Sequence, residues 1–242
     1  MQLPSLHVRP KFRSIAKLVQ VLLLVVTVTF VLPSFADLVS GAGAGSLPST
    51  ALDLTGHHGG LTIQGSLPYD INGNLLLDAA VFAIDITDFH AFSAATVSVT
   101  GADSAYGIPD TELFLFNASG LGIYMNDDVS GSDTLSFLPP PSFGLGPLSD
   151  GLFYLAIARS ADLPVDASLN ELFSPGSSTD VVGGNLGVGP IAGWDGGTFA
   201  SPDTDLIHYQ IQLTGVPEPT SLMLISPGLV VGWLARKRLL RK

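Results

Sequence analysis

From residue 61 onward the chain alternates short apolar runs with turn residues. Leu61–Leu67 reads as a strand. Residues 80–86 read as another, with Phe82, Ile84 and Ile86 on one face, and Ala95, Val97 and Val99 share a face in the next. Thr111–Asn117 sets Leu113 and Leu115 on one side and Phe114 and Phe116 on the other, the pattern of a strand buried on both faces. Gly151–Arg159 repeats it. Near the end, Ile207, Tyr209, Ile211 and Leu213 alternate with His208, Gln210 and Gln212, which predicts a strand with one wet face. Many short strands and no amphipathic helix predict an all-β body over residues 61–215, an antiparallel β-sandwich of jelly-roll-like form. Before it, residues 37–60 are rich in Gly, Ala and Ser, including Ser40-Gly41-Ala42-Gly43-Ala44-Gly45-Ser46, and predict a flexible leader. Residues 160–204 exceed an ordinary loop, so they form either an insertion with its own hairpin or a mobile flap.

The two ends have a different pattern. Residues 1–17 are basic, residues 18–32 are almost wholly apolar, and Pro33 then breaks the run. Ser34 and Ala36 put small residues at −3 and −1 of a cut before Asp37, the three-part layout of a secretory signal peptide over residues 1–36. The competing reading is a retained anchor, for which the apolar run is short, since a span needs about 20 residues. The body's other flank is Val216-Pro217-Glu218-Pro219, followed by an apolar run over residues 220–235 and the basic cluster Arg236-Lys237-Arg238. Positive charge holds such a segment on the cytoplasmic side. The two prolines keep the triplet extended and non-helical, open to an enzyme. Pro227-Gly228 weakens the apolar helix, which disfavours a permanent tail anchor.

In order, the Pro217-Glu218-Pro219 triplet, the short spanning helix and the terminal basic residues resemble the PEP-CTERM sorting tail of exopolysaccharide-producing Gram-negative bacteria. The resemblance covers residues 216–242. It implies recognition at Pro217, Glu218 and Pro219 by a membrane transpeptidase, exosortase, and cleavage near the triplet. With the signal peptide it implies the Sec export machinery and signal peptidase as partners, an inner-membrane precursor, and a mature form at the cell surface or in the extracellular matrix.

The 242 residues include ten Lys and Arg. Four precede Ala36, five follow Ala235, and only Arg159 lies in the body, which holds twenty of the twenty-one acidic residues. Such a body repels nucleic acid, whose phosphates need clustered cations. It attracts divalent cations. There is no cysteine, so an exported body has core burial or bound ions to stabilise it, and thiol chemistry is excluded.

Candidate chemistry is sparse. Asp110 precedes one predicted strand, and Asn126, Asp127 and Asp128 follow a hairpin. Together they form a candidate calcium site, because Ca²⁺ takes six to eight oxygens in a forgiving geometry. Asn and Asp are also ordinary turn residues. His57-His58 has no third ligand at a telling spacing, and His90 and His208 are isolated. No nucleophile elbow, zinc-protease motif or dinucleotide fingerprint occurs, so no catalytic residue is assigned. A glycosidase-type carboxylate pair is compatible with the composition, but nothing singles out two acids. Trp194 either stacks on a sugar ring or fills the core.

The block Pro109-Asp110-Thr111-Glu112-Leu113-Phe114-Leu115-Phe116-Asn117, then Asn126-Asp127-Asp128, then Gly151-Leu152-Phe153-Tyr154-Leu155 resembles the bacterial pre-peptidase C-terminal-like sandwich domain. The resemblance covers residues 60–215. It implies that the Asp110 and Asn126–Asp128 loops lie at one end of adjacent strands. The leading expectation is a non-catalytic acidic β-sandwich for the cell envelope or the extracellular polysaccharide matrix. The alternatives are a calcium- or glycan-binding adhesion module and an extracellular hydrolase.

Overall fold

Thirteen strands organise the part of the chain that the computed structural model describes: residues 37–57, 60–67, 78–98, 110–142, 144–196 and 207–216. The first three are β1 (Asp37–Ser40), β2 (Leu52–Asp53) and β3 (Leu61–Leu67). Next come β4 (Ala79–Ile86), β5 (Ser93–Val97), β6 (Thr111–Asn117), β7 (Gly122–Asn126) and β8 (Phe137–Leu138). The rest are β9 (Gly151–Arg159), β10 (Pro164–Asp166), β11 (Val181–Gly183), β12 (Ile191–Trp194) and β13 (Ile207–Thr214). Five strands make one sheet in the order β1-β3-β13-β5-β8, and six make another in the order β11-β7-β6-β9-β4-β2. β10 and β12 pair separately. The body is all-β, with one 3-10 turn at Pro48–Thr50. Among the described residues no helix is long and apolar enough to cross a membrane. The predicted signal segment with Ala36, the Pro217-Glu218-Pro219 triplet and the apolar run at 220–235 lie outside the described residues.

The two large sheets share one apolar core. Ile63, Tyr209, Ile211 and Leu213 enter it from the five-stranded sheet, and Phe82, Ile84, Leu113, Leu115 and Leu155 from the six-stranded sheet. Phe82 and Tyr209 meet edge to face across it, centroids 6.4 Å apart. The alternation read in β4, β6 and β13 explains this, since every second side chain points inward. β5 departs from the apolar pattern. Ala95 and Val97 share a half-buried face, while Ala94 and Thr96 are buried. The partners decide the phase: Ala94 stands opposite Leu213 and Thr96 opposite Ile211, so those faces point into the core together. Val99 lies outside the described residues. Buried Thr96 is tolerated because its Oγ1 accepts the Ser136 N–H (2.7 Å).

The predicted flexible leader is a correction. Between residues 37 and 53 the chain lays β1 parallel to β3 and β2 parallel to β4, an edge strand for each sheet. Small residues here serve close approach, not flexibility. Gly41 donates its N–H to the Gln64 carbonyl (2.7 Å), and a Cβ there would stand 2.6 Å from the Tyr209 hydroxyl oxygen. These two parallel pairs are exceptions in an otherwise antiparallel arrangement.

The long stretch after β9 also has structure. β10 and β12 form an antiparallel ribbon, and β11 extends the six-stranded sheet beside β7. Leu172, Phe173 and Ile191 then roof the outer face of that sheet, over Phe114, Phe116, Met125 and Val81. Phe114 meets Phe173 at 5.6 Å and Trp194 at 5.4 Å. This second core is why β6 is apolar on both sides. Trp194 fills it edge-on, and its Nε1–H donates to the Ser46 carbonyl (2.7 Å).

Candidate metal centre

Strand alternation and register build the site. Asp110 and Glu112 lie two residues apart at the start of β6, so they share the outer face that carries Phe114. β6 and β7 pair with Leu113 opposite Asn126. β7 ends there, and the chain then delivers Asp127 and Asp128. Carboxylates gathered in this way repel one another.

One oxygen from each of Asp110, Asp127 and Asp128 lies within 4.8 Å of the others. Asp110 is exposed at the mouth of the group, and Asp127 is deep, at 9 % exposure. The Ser160 hydroxyl donates to Asp127 Oδ2 (3.3 Å). Asp127 Oδ1 and Asp128 Oδ1 are buried without a hydrogen-bond partner. Glu112 is 2 % exposed. Its Oε1 accepts the Ala161 N–H (3.0 Å), and its Oε2 has no partner.

The electrostatics follow from this burial. Desolvation pushes the Glu112 carboxyl up to about 8, against one backbone hydrogen bond from Ala161, and the charges of Asp127, Asp162 and Asp110 add to the rise. Asp127 is raised to about 7, first by burial and then by Asp128 and Asp110. Asp110 is raised by partial desolvation and by Asp128, against a hydrogen bond from Ser160 and the charge of Arg159, the body's one base. The protein thus gathers three carboxylates, with Glu112 buried near them, in a body that has a single base.

Three of the four sequence-derived candidates, Asp110, Asp127 and Asp128, come together. Asn126 plays another part. Its Nδ2 donates to the carbonyls of Asp128 (3.1 Å) and Asp180 (3.2 Å), and its Oδ1 accepts the Phe137 N–H (2.8 Å). Its amide is committed to the backbone and shapes the turn that presents the two aspartates. Glu112 escaped the sequence reading. Its signal was an acid in an otherwise apolar strand, in phase with Asp110. The histidines stand elsewhere: His57 Nδ1 is 2.6 Å from Asp37 Oδ2, His90 stacks on Phe89 (3.8 Å), and His58 lies outside the described residues.

A set of convergent carboxylate oxygens without sulfur or imidazole suits a hard cation, and its loose spacing suits Ca²⁺ more than Mg²⁺. The chain matches no protein-family model, and no curated protein matches it.

Proposed function

We propose that this chain is an exported surface protein whose body is a non-catalytic, acidic β-sandwich that binds Ca²⁺ through Asp110, Asp127 and Asp128. The observation that carries the cation reading is the convergence of these carboxylates with two buried, unpartnered oxygens, Asp127 Oδ1 and Asp128 Oδ1. Buried polar atoms nearly always have partners, and a divalent cation supplies one to several oxygens at once. Extracellular Ca²⁺ is abundant enough for weak sites, with dissociation constants of about 10⁻⁴–10⁻³ M. A cysteine-free exported body gains most from such a staple.

In this reading residues 1–36 are a signal helix handled by the Sec machinery and signal peptidase. Residues 216–242 are a PEP-CTERM tail with a spanning helix over 220–235, handed to exosortase at the inner membrane. The body, similar to the pre-peptidase sandwich, then resides at the cell surface or in the polysaccharide matrix. Two features favour a non-catalytic role. A hydrolytic pair must touch substrate, and Glu112 lies buried under Ala161. Trp194 turns against Phe114 rather than toward a sugar.

The test uses protein recovered from a host with exosortase. Its N-terminus should be Asp37 and its intact mass should lack residues 236–242; a chain that begins at Met1 or keeps the basic cluster rejects the export reading. Millimolar Ca²⁺ should raise its melting temperature more than equal Mg²⁺ at matched ionic strength. Equal shifts would mean charge screening and would reject the site.

A further inference from the structure

We infer that Glu112 is the buried fourth carboxylate of the Ca²⁺ site, and that the bound cation clamps residues 160–196 onto the outer face of the six-stranded sheet. The inference rests on the reading of Asp110, Asp127 and Asp128 as a cation site.

Two consecutive residues supply the first argument. The Ser160 hydroxyl donates to Asp127 Oδ2 (3.3 Å) and the Ala161 N–H to Glu112 Oε1 (3.0 Å), which brings the two carboxylates near each other, with Asp110 in phase with Glu112 along the chain. Glu112 therefore borders the group in which the oxygens of the three aspartates converge. The second argument is its orphaned atom. Glu112 is 98 % covered, and although Oε1 has the Ala161 N–H, Oε2 has nothing. A cation shared with Asp127 would satisfy both orphaned oxygens.

The clamp follows from what else the four acids hold. The Ser160 N–H donates to the Asp110 carbonyl (3.2 Å), and its hydroxyl donates to Asp127 (3.3 Å). The Ala161 N–H reaches Glu112 while Ala161 sits at φ 69°, a left-handed conformation uncommon for a residue with a side chain. On the other flank the Asp128 N–H donates to the Ser178 carbonyl (2.8 Å), and Asn126 holds the Asp180 carbonyl. The acids thus form the seam between the β6–β7 pair and both the start and the middle of the inserted segment. That segment carries Leu172, Phe173 and Ile191 over Phe114 and Phe116. Mutual repulsion of the carboxylates pushes the seam apart, and one divalent cation draws it together.

The experiment pairs calorimetric Ca²⁺ titration with limited chymotrypsin digestion of the whole exported protein, in Ca²⁺ and in EGTA. Chymotrypsin is the probe because Phe173 and Trp194 lie in the segment, whereas trypsin has only Arg159 in the body. Glu112→Gln is the variant, since its amide oxygen can still accept the Ala161 N–H. Near-ultraviolet circular dichroism of the Phe114–Trp194 cluster verifies that it folds. The expected result is a loss of Ca²⁺ affinity of at least tenfold in Glu112→Gln. EGTA should accelerate cutting within residues 160–196 in the wild type, and the variant should be cut at the EGTA rate in either buffer. A folded Glu112→Gln that binds Ca²⁺ like the wild type overturns the fourth-ligand assignment and leaves the three-aspartate site standing. Cutting that is indifferent to EGTA overturns the clamp. A wild type that does not bind Ca²⁺, or an Asp127→Asn/Asp128→Asn variant that binds it normally, removes the underlying site and the inference with it.

Discussion

Two carboxylate regions of this body sit in opposite electrostatic states. Asp166, at the end of β10, is ringed by donors. Its Oδ1 accepts the N–H groups of Ser168 (2.8 Å) and Asn170 (2.9 Å), and its Oδ2 accepts that of Gly189 (3.1 Å), with the Asn170 side chain bridging both. Backbone hydrogen bonds, that of Asn170 first, hold its carboxyl down at about 2. Glu112 receives one N–H and is raised to about 8 by burial. The same functional group is finished in one place and unfinished in the other. Where the chain folds its own amides around an acid, that acid closes a loop. Where it gathers several acids and leaves their oxygens bare, the proposed cation is the partner that would complete them.

The largest expected effect breaks this comparison if it fails. At a hundredfold excess over its dissociation constant, Ca²⁺ should stabilise the protein by about 2.7 kcal/mol if it binds the folded form alone. Asp127→Asn/Asp128→Asn should abolish that increment, as followed by thermal unfolding. Asp166→Asn should lower stability with and without Ca²⁺ and leave the increment intact. An increment that vanishes in Asp166→Asn would show that the two regions are not independent.

A smaller effect of opposite sign sharpens the comparison. In Ca²⁺-free buffer above pH 8, Glu112→Gln should stabilise the protein by about 1 kcal/mol, since it removes a buried, poorly partnered charge. With saturating Ca²⁺ the same substitution should destabilise. A finished carboxylate such as Asp166 cannot change sign in this way. Denaturant melts in the two buffers decide it.

Much of this fold was legible because strand periodicity is a local property. Leu61–Leu67, Thr111–Asn117 and Gly151–Arg159 keep their sequence-derived bounds, and the two-sided apolar pattern of β6 announced cover on both faces. What was hidden depends on partners distant in sequence. Gly41 reads as flexible until Tyr209 is seen to occupy the space a side chain would need. The inward face of β5 is set by Ile211 and Leu213, not by its own apolar residues. At the site, Asp110, Asp127 and Asp128 could be proposed from turn chemistry. Glu112 became visible only when Ala161 was found on its carboxylate and Ser160 on that of Asp127, and Asn126 was lost to the ligand set only when its amide was found on Phe137 and Asp180.

The third effect is a pH profile with two independent limbs in the cation-free protein. Glu112 has an ordinary value of 4.5 and a folded value of about 8. Between these the folded state holds a proton that the unfolded chain has lost, so stability falls as pH rises across the interval. Asp127, raised from 3.8 to about 7, adds to the same fall. Asp166 runs the other way. Its value drops from 3.8 to about 2 on folding, so its contribution is complete above 3.8 and is lost as pH falls through about 2. The cation-free melting temperature should therefore peak in mildly acid solution and decline on both sides. Saturating Ca²⁺ should flatten the alkaline decline, because the bound ion keeps the acids ionised and partnered, and should leave the acid limb in place. Asp166→Asn should remove its share of the acid limb, and Glu112→Gln should shrink the alkaline one. Melting curves at closely spaced pH values measure both. A cation-free protein whose stability rises steadily from pH 5 to pH 8 would mean that these buried acids find partners of their own, and the contrast between the two regions would collapse.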